Sequence, residues 1–157
     1  MAAAKLRVPV LVGPTAVGKT ATALALARHW PLEVVSADSR QVYRRLDIGT
    51  AKPTRKERAR VPHHGLDLID PGHRYSAGRF ARDATGWITD IAARGRMPVV
   101  VGGTGFYVRA LAEGLFHEPP LDGERRRALE EWLQGQDALD LVRWAGRLDR
   151  GFRGGGR

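Results

Sequence analysis

The stretch Gly13–Pro14–Thr15–Ala16–Val17–Gly18–Lys19–Thr20 constrains this chain more than any other. It has the form G-x-x-x-x-G-K-T, the pattern of a phosphate-binding loop. An apolar run, Val8 and Val10 to Val12, precedes it, and an alanine- and leucine-rich run from Ala21 to Arg28 follows. Strand, loop and helix in that order are the context in which the pattern binds phosphate. Gly13 and Gly18 let the backbone turn tightly and approach an anion without a Cβ in the way. The loop N–H groups and the first turn of the helix then point at the anion, and the helix dipole adds partial positive charge. Lys19 supplies a full charge, and the Thr20 hydroxyl is placed to ligate Mg²⁺. This chemistry needs a diphosphate or triphosphate. It does not need ATP.

The rest of the chain predicts an α/β fold. The first strand is expected at about Val8 to Val12, and the first helix from about Lys19 to Trp30, stopped by Pro31. Glu33 to Ala37 reads as a buried strand. It ends in Asp38–Ser39–Arg40–Gln41, polar groups at the strand's C-terminal end, where open α/β sheets bind ligands. Gly49 to His64 is rich in Lys, Arg and Pro and reads as an excursion over the surface. Ser76 stands at an N-cap position, Phe80, Ala84, Ile88 and Ile91 follow at helical spacing, and Gly95 stops the helix. A third strand, Val99 to Val101, runs into Gly102–Gly103–Thr104–Gly105, and a short helix, about Phe106 to Glu113, closes at Gly114. Short strand–helix alternations argue for a phosphate-loop-type parallel sheet with helices on both faces. The predicted organisation is an incomplete α/β core over 1–120 and the start of a helical insertion over 121–157. The insertion would hold helices at about Gly123 to Leu133 and Leu139 to Leu148, followed by a glycine-rich end from Gly151 to Arg157.

Composition narrows the function classes. A chain of 157 residues allows one domain with a core. No apolar stretch reaches 18 residues, so no membrane span is expected, and the N-terminus lacks a core of signal-peptide length. There is no cysteine, which excludes disulfides and thiolate metal sites and makes a cytoplasmic location the expectation. A net charge of +9 fits a polyanionic partner such as nucleic acid, although it comes mostly from Arg. Nucleotide-hydrolysing proteins with this loop usually carry an apolar strand ending in Asp or Glu that holds the metal. Here Val99 to Val101 ends in Gly-Gly-Thr-Gly, and Asp38 is the only carboxylate at a strand end near the loop. A motor or switch GTPase is therefore disfavoured. A small kinase and a transferase using a phosphorylated donor both remain.

Five segments, GPTAVGKT, SADSRQVYRRLDIGTAKP, HHGLDLIDP, YSAGRFARDA and VVVGGTGFYVRALAEGL, occur in this order. Together they resemble the bacterial tRNA dimethylallyltransferases, over about residues 8 to 130. The resemblance implies transfer of a dimethylallyl group from dimethylallyl diphosphate to N6 of adenosine 37, in the anticodon loop of tRNAs that read UNN codons. It implies that Gly13 to Thr20 hold the donor diphosphate, with Thr20 helping to hold Mg²⁺. Asp38 matches the family's catalytic aspartate, which takes a hydrogen bond or proton from the adenine amine. Ser39, Arg40 and Gln41 match a tRNA-contacting segment, Thr104 a threonine beside the flipped-out base, and Arg126 an arginine that contacts tRNA. Reaching the base costs a few kcal/mol of unstacking. A cytoplasmic monomer is expected. Family members run longer than this chain, so truncation, an uncovered apolar face and little activity from this polypeptide alone are also expected.

Blander readings apply elsewhere. His63 and His64 lack a third metal ligand at useful spacing and read as surface or tRNA-facing residues. Trp87 falls beside the apolar stripe of its helix and reads as core, whereas Trp30, Trp132 and Trp144 could stack on bases. The basic run from Lys52 to Arg60 could touch phosphates or simply be solvated. Beside the transferase stand two alternatives: a nucleoside or metabolite kinase, and an RNA-binding remnant held by charge alone.

Overall fold

The computed structural model describes residues 6–114 and 122–149. The chain divides into two compact units, Met1–Phe116 and His117–Arg157. The glycine-rich end, Gly151 to Arg157, lies outside the described residues.

The first unit is built on four parallel strands: β1 (Val10–Val12), β2 (Leu32–Ser36), β3 (His63–His64) and β4 (Met97–Gly102), in the order β1-β4-β2-β3. Between them run α1 (Lys19–Leu26), α2 (Arg55–Arg60) and α3 (Ala77–Ala93), and α4 (Gly105–Glu113) follows β4. From β1 to β2 the chain steps across the sheet in one direction, and from β3 to β4 it steps back. Right-handed crossovers made in opposite directions put their helices on opposite faces.

Two apolar clusters record this. Leu32, Val34, Val99 and Val101 pack with Ala23 of α1. Val35, Ala37 and Val100, the intervening residues, pack with Phe80, Ala84, Ile88 and Ile91 of α3 and with Tyr107 and Ala110 of α4. Successive strand side chains point to opposite faces, and β2 and β4 carry buried apolar side chains on both, so both faces must be covered. Ser76 caps α3 by accepting from the Arg79 N–H at 3.2 Å. The Phe80 and Tyr107 rings stack at 4.5 Å and 14° between α3 and α4. Fully burying a side chain such as Phe80 or Ile91 contributes about 1.5–3 kcal/mol.

Two expectations need correction. The first helix ends at Leu26, and residues 27–30 form turns rather than a further helical turn. The expected excursion over 49–64 contains α2 and the edge strand β3, which pairs Val34 with His63 and Val35 with His64. A capping box starts α2: Thr54 accepts from the Glu57 N–H while Glu57 accepts from the Thr54 N–H.

Among its described residues the second unit holds a pair of helices, α5 (Gly123–Gln134) and α6 (Ala138–Leu148). Asp122 and Asp137 cap them. Trp132 and Trp144 face each other at 5.2 Å between ring centroids, so each is the other's partner.

Candidate active site at the C-terminal edge of the sheet

Parallel register aligns the strand ends: Val12 pairs with Gly102, and Ser36 with Val101. The loop after β1, the turn after β2 and the turn after β4 therefore meet at one edge. Gly102 makes that meeting possible, because a Cβ there would lie 2.1 Å from the Ala37 carbonyl oxygen. The close approach is held by hydrogen bonds from the Ala37 N–H to Val101 O (2.8 Å) and from the Thr104 N–H to Ala37 O (3.1 Å).

Within the phosphate-binding loop, Ala16 and Gly18 both adopt left-handed backbone, at φ 66° and 91°. Such turns between right-handed residues curl N–H groups into an anion-binding concavity. Only glycine takes that conformation freely, so Ala16 stores about 1 kcal/mol of strain where it lines the site. The Lys19 ammonium lies 2.9 Å from Gly13 O and 2.7 Å from Pro14 O, arched over the loop it serves.

Asp38 follows β2 and is half-buried. Its Oδ1 accepts from the N–H groups of Arg40 (2.9 Å) and Gln41 (3.4 Å), which fixes the carboxylate plane. Among the described residues nothing donates to Oδ2. The Thr104 hydroxyl braces the same turn, accepting from the Ser39 N–H at 2.9 Å with Ser39 Oγ at 3.3 Å. Gln41 is fully engaged. Its Oε1 accepts from Ser36 Oγ, and its Nε2 donates to Thr50 O (3.1 Å) and Ala51 O (3.2 Å).

These groups surround a cavity of about 320 Å³. Of the residues the sequence singles out, Thr15, Ala16, Gly18, Lys19, Thr20, Asp38 and Gln41 line it. Gly13, Pro14, Val17, Ser39, Arg40 and Thr104 stand behind or beside these. Arg126 is exposed on α5, in the second unit. Ala23, Val34 and Val101 give the cavity an apolar floor, and Ser36, Thr50, Ala51, Pro53, Glu57 and His63 complete its walls.

His63, read from the sequence as a surface or tRNA-facing residue, also forms part of the cavity wall, a place the sequence did not give it. A two-residue strand has no periodicity that could reveal it. The His63 Nδ1 lies 2.7 Å from Val61 O, and burial disfavours the cation and holds the imidazole pKa below its ordinary 6.5. His64 points elsewhere, with Nε2 2.6 Å from Glu33.

A divalent cation in such a loop is held by one hydroxyl and by phosphate oxygens, with water filling the remaining positions. Thr20, at the first turn of α1 and on the cavity wall, fits that donor set. Among the described residues no group of three or more His, Asp or Glu could hold a metal by itself.

A model of the IPP transferase family matches residues 41–150, and a model described as isopentenyl transferase matches residues 6–63. A tRNA dimethylallyltransferase from Deinococcus radiodurans is 58% identical over 134 residues, which are 84% of this chain and 44% of that protein. Another, from Anaeromyxobacter dehalogenans, is 59% identical over 80% of this chain and 42% of its own length. The full-length tRNA isopentenylpyrophosphate transferase of Bacillus halodurans superposes with a TM-score of 0.70 at 42% identity, over 94% of this chain and 49% of that one. A eukaryotic dimethylallyltransferase, described as acting on tRNA, superposes with a TM-score of 0.78 at 32% identity, over 92% of this chain and 36% of that one. The chain thus spans less than half the length of these relatives. None of the matches favours the kinase alternative. With a family match over most of its length, and the loop, Asp38 and Thr104 gathered at one sheet edge, the chain belongs to the IPP transferase family of tRNA dimethylallyltransferases.

Proposed function

We propose that this chain carries the donor-binding and amine-activating residues for transfer of a dimethylallyl group from dimethylallyl diphosphate to N6 of adenosine 37 in tRNA. The observation that carries the reading is that the phosphate-binding loop and Asp38 share one cavity with an apolar floor. The loop N–H groups and Lys19 bind the diphosphate. Ala23, Val34 and Val101 receive the five-carbon chain.

In the transfer step the N6 lone pair forms a bond to C1 of the dimethylallyl group. The C1–O bond breaks, and its electron pair leaves with the diphosphate. One N6 proton passes to Oδ2 of Asp38, the oxygen left open by the turn that holds Oδ1. An exocyclic amine is a weak nucleophile, so orientation and proton removal supply much of the rate. Negative charge growing on the leaving diphosphate meets the loop N–H groups and the Lys19 ammonium, donors already in place before the reaction. Mg²⁺, held by Thr20 and the diphosphate, would neutralise part of that charge. Ser39, Arg40 and Thr104 contact the RNA from the first unit and Arg126 contacts it from the second, the substrate is the anticodon loop of tRNAs reading UNN codons, and the working form is a cytoplasmic monomer. No helix among the described residues is long and apolar enough to cross a membrane.

The test is an assay with the purified chain, Mg²⁺, radiolabelled dimethylallyl diphosphate and an anticodon stem-loop with three adenosines at 36 to 38. Label should enter the RNA and be lost in Asp38→Ala. Label that persists in Asp38→Ala would remove the aspartate from the mechanism. If the 157 residues alone give no label, the assay is repeated in a chain extended to the length of its relatives. Failure there too, with donor and RNA both bound, would sink the reading.

A further inference from the structure

Lys52 stands first in the basic run from Lys52 to Arg60, where phosphate contact and a solvated surface were the two expectations. It is neither. Its side chain is 1% exposed, the most deeply buried charge among the ion pairs between described residues. The ammonium donates to Tyr43 O, to Asp47 Oδ1 at 3.0 Å and to Asp67 Oδ1 at 2.7 Å. An ammonium has three N–H donors, and all three are used.

Asp67 is the centre of the cluster. Its other oxygen accepts from Arg58 Nη1 at 2.6 Å, while Arg58 Nε donates to Pro53 O at 2.9 Å. The Asp67 backbone, left-handed at φ 54°, sends its N–H to Gln41 O at 3.2 Å. Burial pushes the Asp67 carboxyl pKa up, but hydrogen bonds and charge from Lys52 and Arg58 outweigh it and hold the group ionised below its ordinary range. One aspartate therefore grips Lys52 with its side chain and the site turn with its main chain. Lys52 lies between Ala51 and Pro53, which line the cavity together with Thr50. Those residues receive Gln41 through the carbonyls of Thr50 and Ala51.

We propose that Lys52 is a positioning residue, an internal latch that with Asp67 and Arg58 fixes the 47–53 segment as the Gln41-bearing wall of the cavity and never touches substrate. The consequence for RNA rests on the proposed function. The latch itself does not.

The test compares the full chain with Lys52→Met, which keeps the stem and removes the charge. Amide hydrogen exchange over 47–53 should speed at least tenfold, with β4 and α3 unchanged. Affinity for an anticodon stem-loop should fall at least tenfold, while that for inorganic pyrophosphate stays within twofold. The slope of log affinity for the stem-loop against log salt should not change, because no phosphate contact is lost. A phosphate-contacting lysine gives the opposite pattern, with exchange unchanged and the slope reduced by about 0.7–0.9. That result would overturn the proposal. If the parent chain binds no stem-loop, the RNA reading fails for this chain and exchange alone decides the latch.

If Lys52→Met does not fold by circular dichroism, Asp67→Asn replaces it, leaving Tyr43 O and Asp47 to hold the ammonium. Exchange over 47–53 should then rise by a smaller factor, and unchanged exchange refutes the latch.

Discussion

Two carboxylates stand at opposite ends of β2 and are treated in opposite ways. Glu33, near its start, is 4% exposed and surrounded by cations. His64 Nε2 (2.6 Å) and Arg94 Nη2 (2.8 Å) meet one oxygen. Arg96 Nε lies 3.0 Å from the other, an ion pair without the alignment of a hydrogen bond. Asp38, just past the strand's end, lines the cavity; one of its oxygens accepts only from backbone N–H groups, and among the described residues nothing donates to the other. A carboxylate whose acceptor sites are filled is part of the scaffold. One held firmly in orientation but left with an open oxygen is equipped to take a proton. The difference follows from the strand's polarity, because parallel α/β sheets gather ligand-binding turns at their C-terminal edge.

The largest expected effect is at Asp38. Asp38→Asn keeps shape and can keep the Oδ1 contacts, but it cannot accept a proton at the open position. Transfer should fall by about 10²–10⁴-fold, with the urea midpoint almost unmoved. A large loss of stability with preserved turnover per folded molecule would reverse the assignment of the two carboxylates.

Glu33→Gln should do the reverse. It leaves Arg94 and Arg96 without an anion, at a cost of about 2–3 kcal/mol in urea unfolding. This is low for a broken buried ion pair because both arginines can turn towards water. Pyrophosphate affinity per folded molecule should stay within twofold. A smaller step is Thr104→Val. It removes the acceptor for the Ser39 N–H beside Asp38, a change of about 1 kcal/mol. Transfer should drop about fivefold with stability nearly constant, since water can reach the half-buried Ser39.

Much of this contrast was legible in the sequence. The glycine loop announced its own chemistry, the largely apolar runs of β2 and β4 announced buried strands, and Asp38 at the end of such a run announced a ligand-facing edge. Segment 44–67 was not legible, for a physical reason. Its order comes from Lys52, Arg58 and Asp67 satisfying one another and nearby carbonyls, and ion pairs across fifteen residues leave no periodic trace. Its helix has six residues and its strand two, both shorter than the window over which periodicity can be read. The paired tryptophans of α5 and α6 were ambiguous for a related reason, as an exposed aromatic on a charged helix shows its partner only in three dimensions. Gln41 was placed on the RNA side by resemblance, and its amide bonds to Ser36, Thr50 and Ala51 are contacts that no sequence pattern announced.

The smallest expected effects are in pH, and they separate the two ends of the sheet edge formed by β2 and β3. Burial raises the Glu33 carboxyl pKa, but hydrogen bonds and charge from His64 and Arg94 outweigh it, and the group titrates below its ordinary 4.5. A carboxyl depressed in the folded state stabilises fully above its unfolded pKa, and that contribution is lost as pH falls through the folded value. The stability difference between the parent chain and Glu33→Gln should therefore be constant above about pH 5 and shrink only as the solution is acidified below 4.5. His63, on the cavity wall, behaves differently. Its folded pKa lies below 6.5, so the unfolded chain takes up the proton first and stability declines as pH falls from 6.5 towards the folded value. His63→Gln should remove that decline and leave the lower, Glu33-linked one intact. If both variants altered the same pH window, the two ends would be coupled through β3. If they alter separate windows, the scaffold carboxylate and the site wall titrate independently although their histidines are adjacent in sequence.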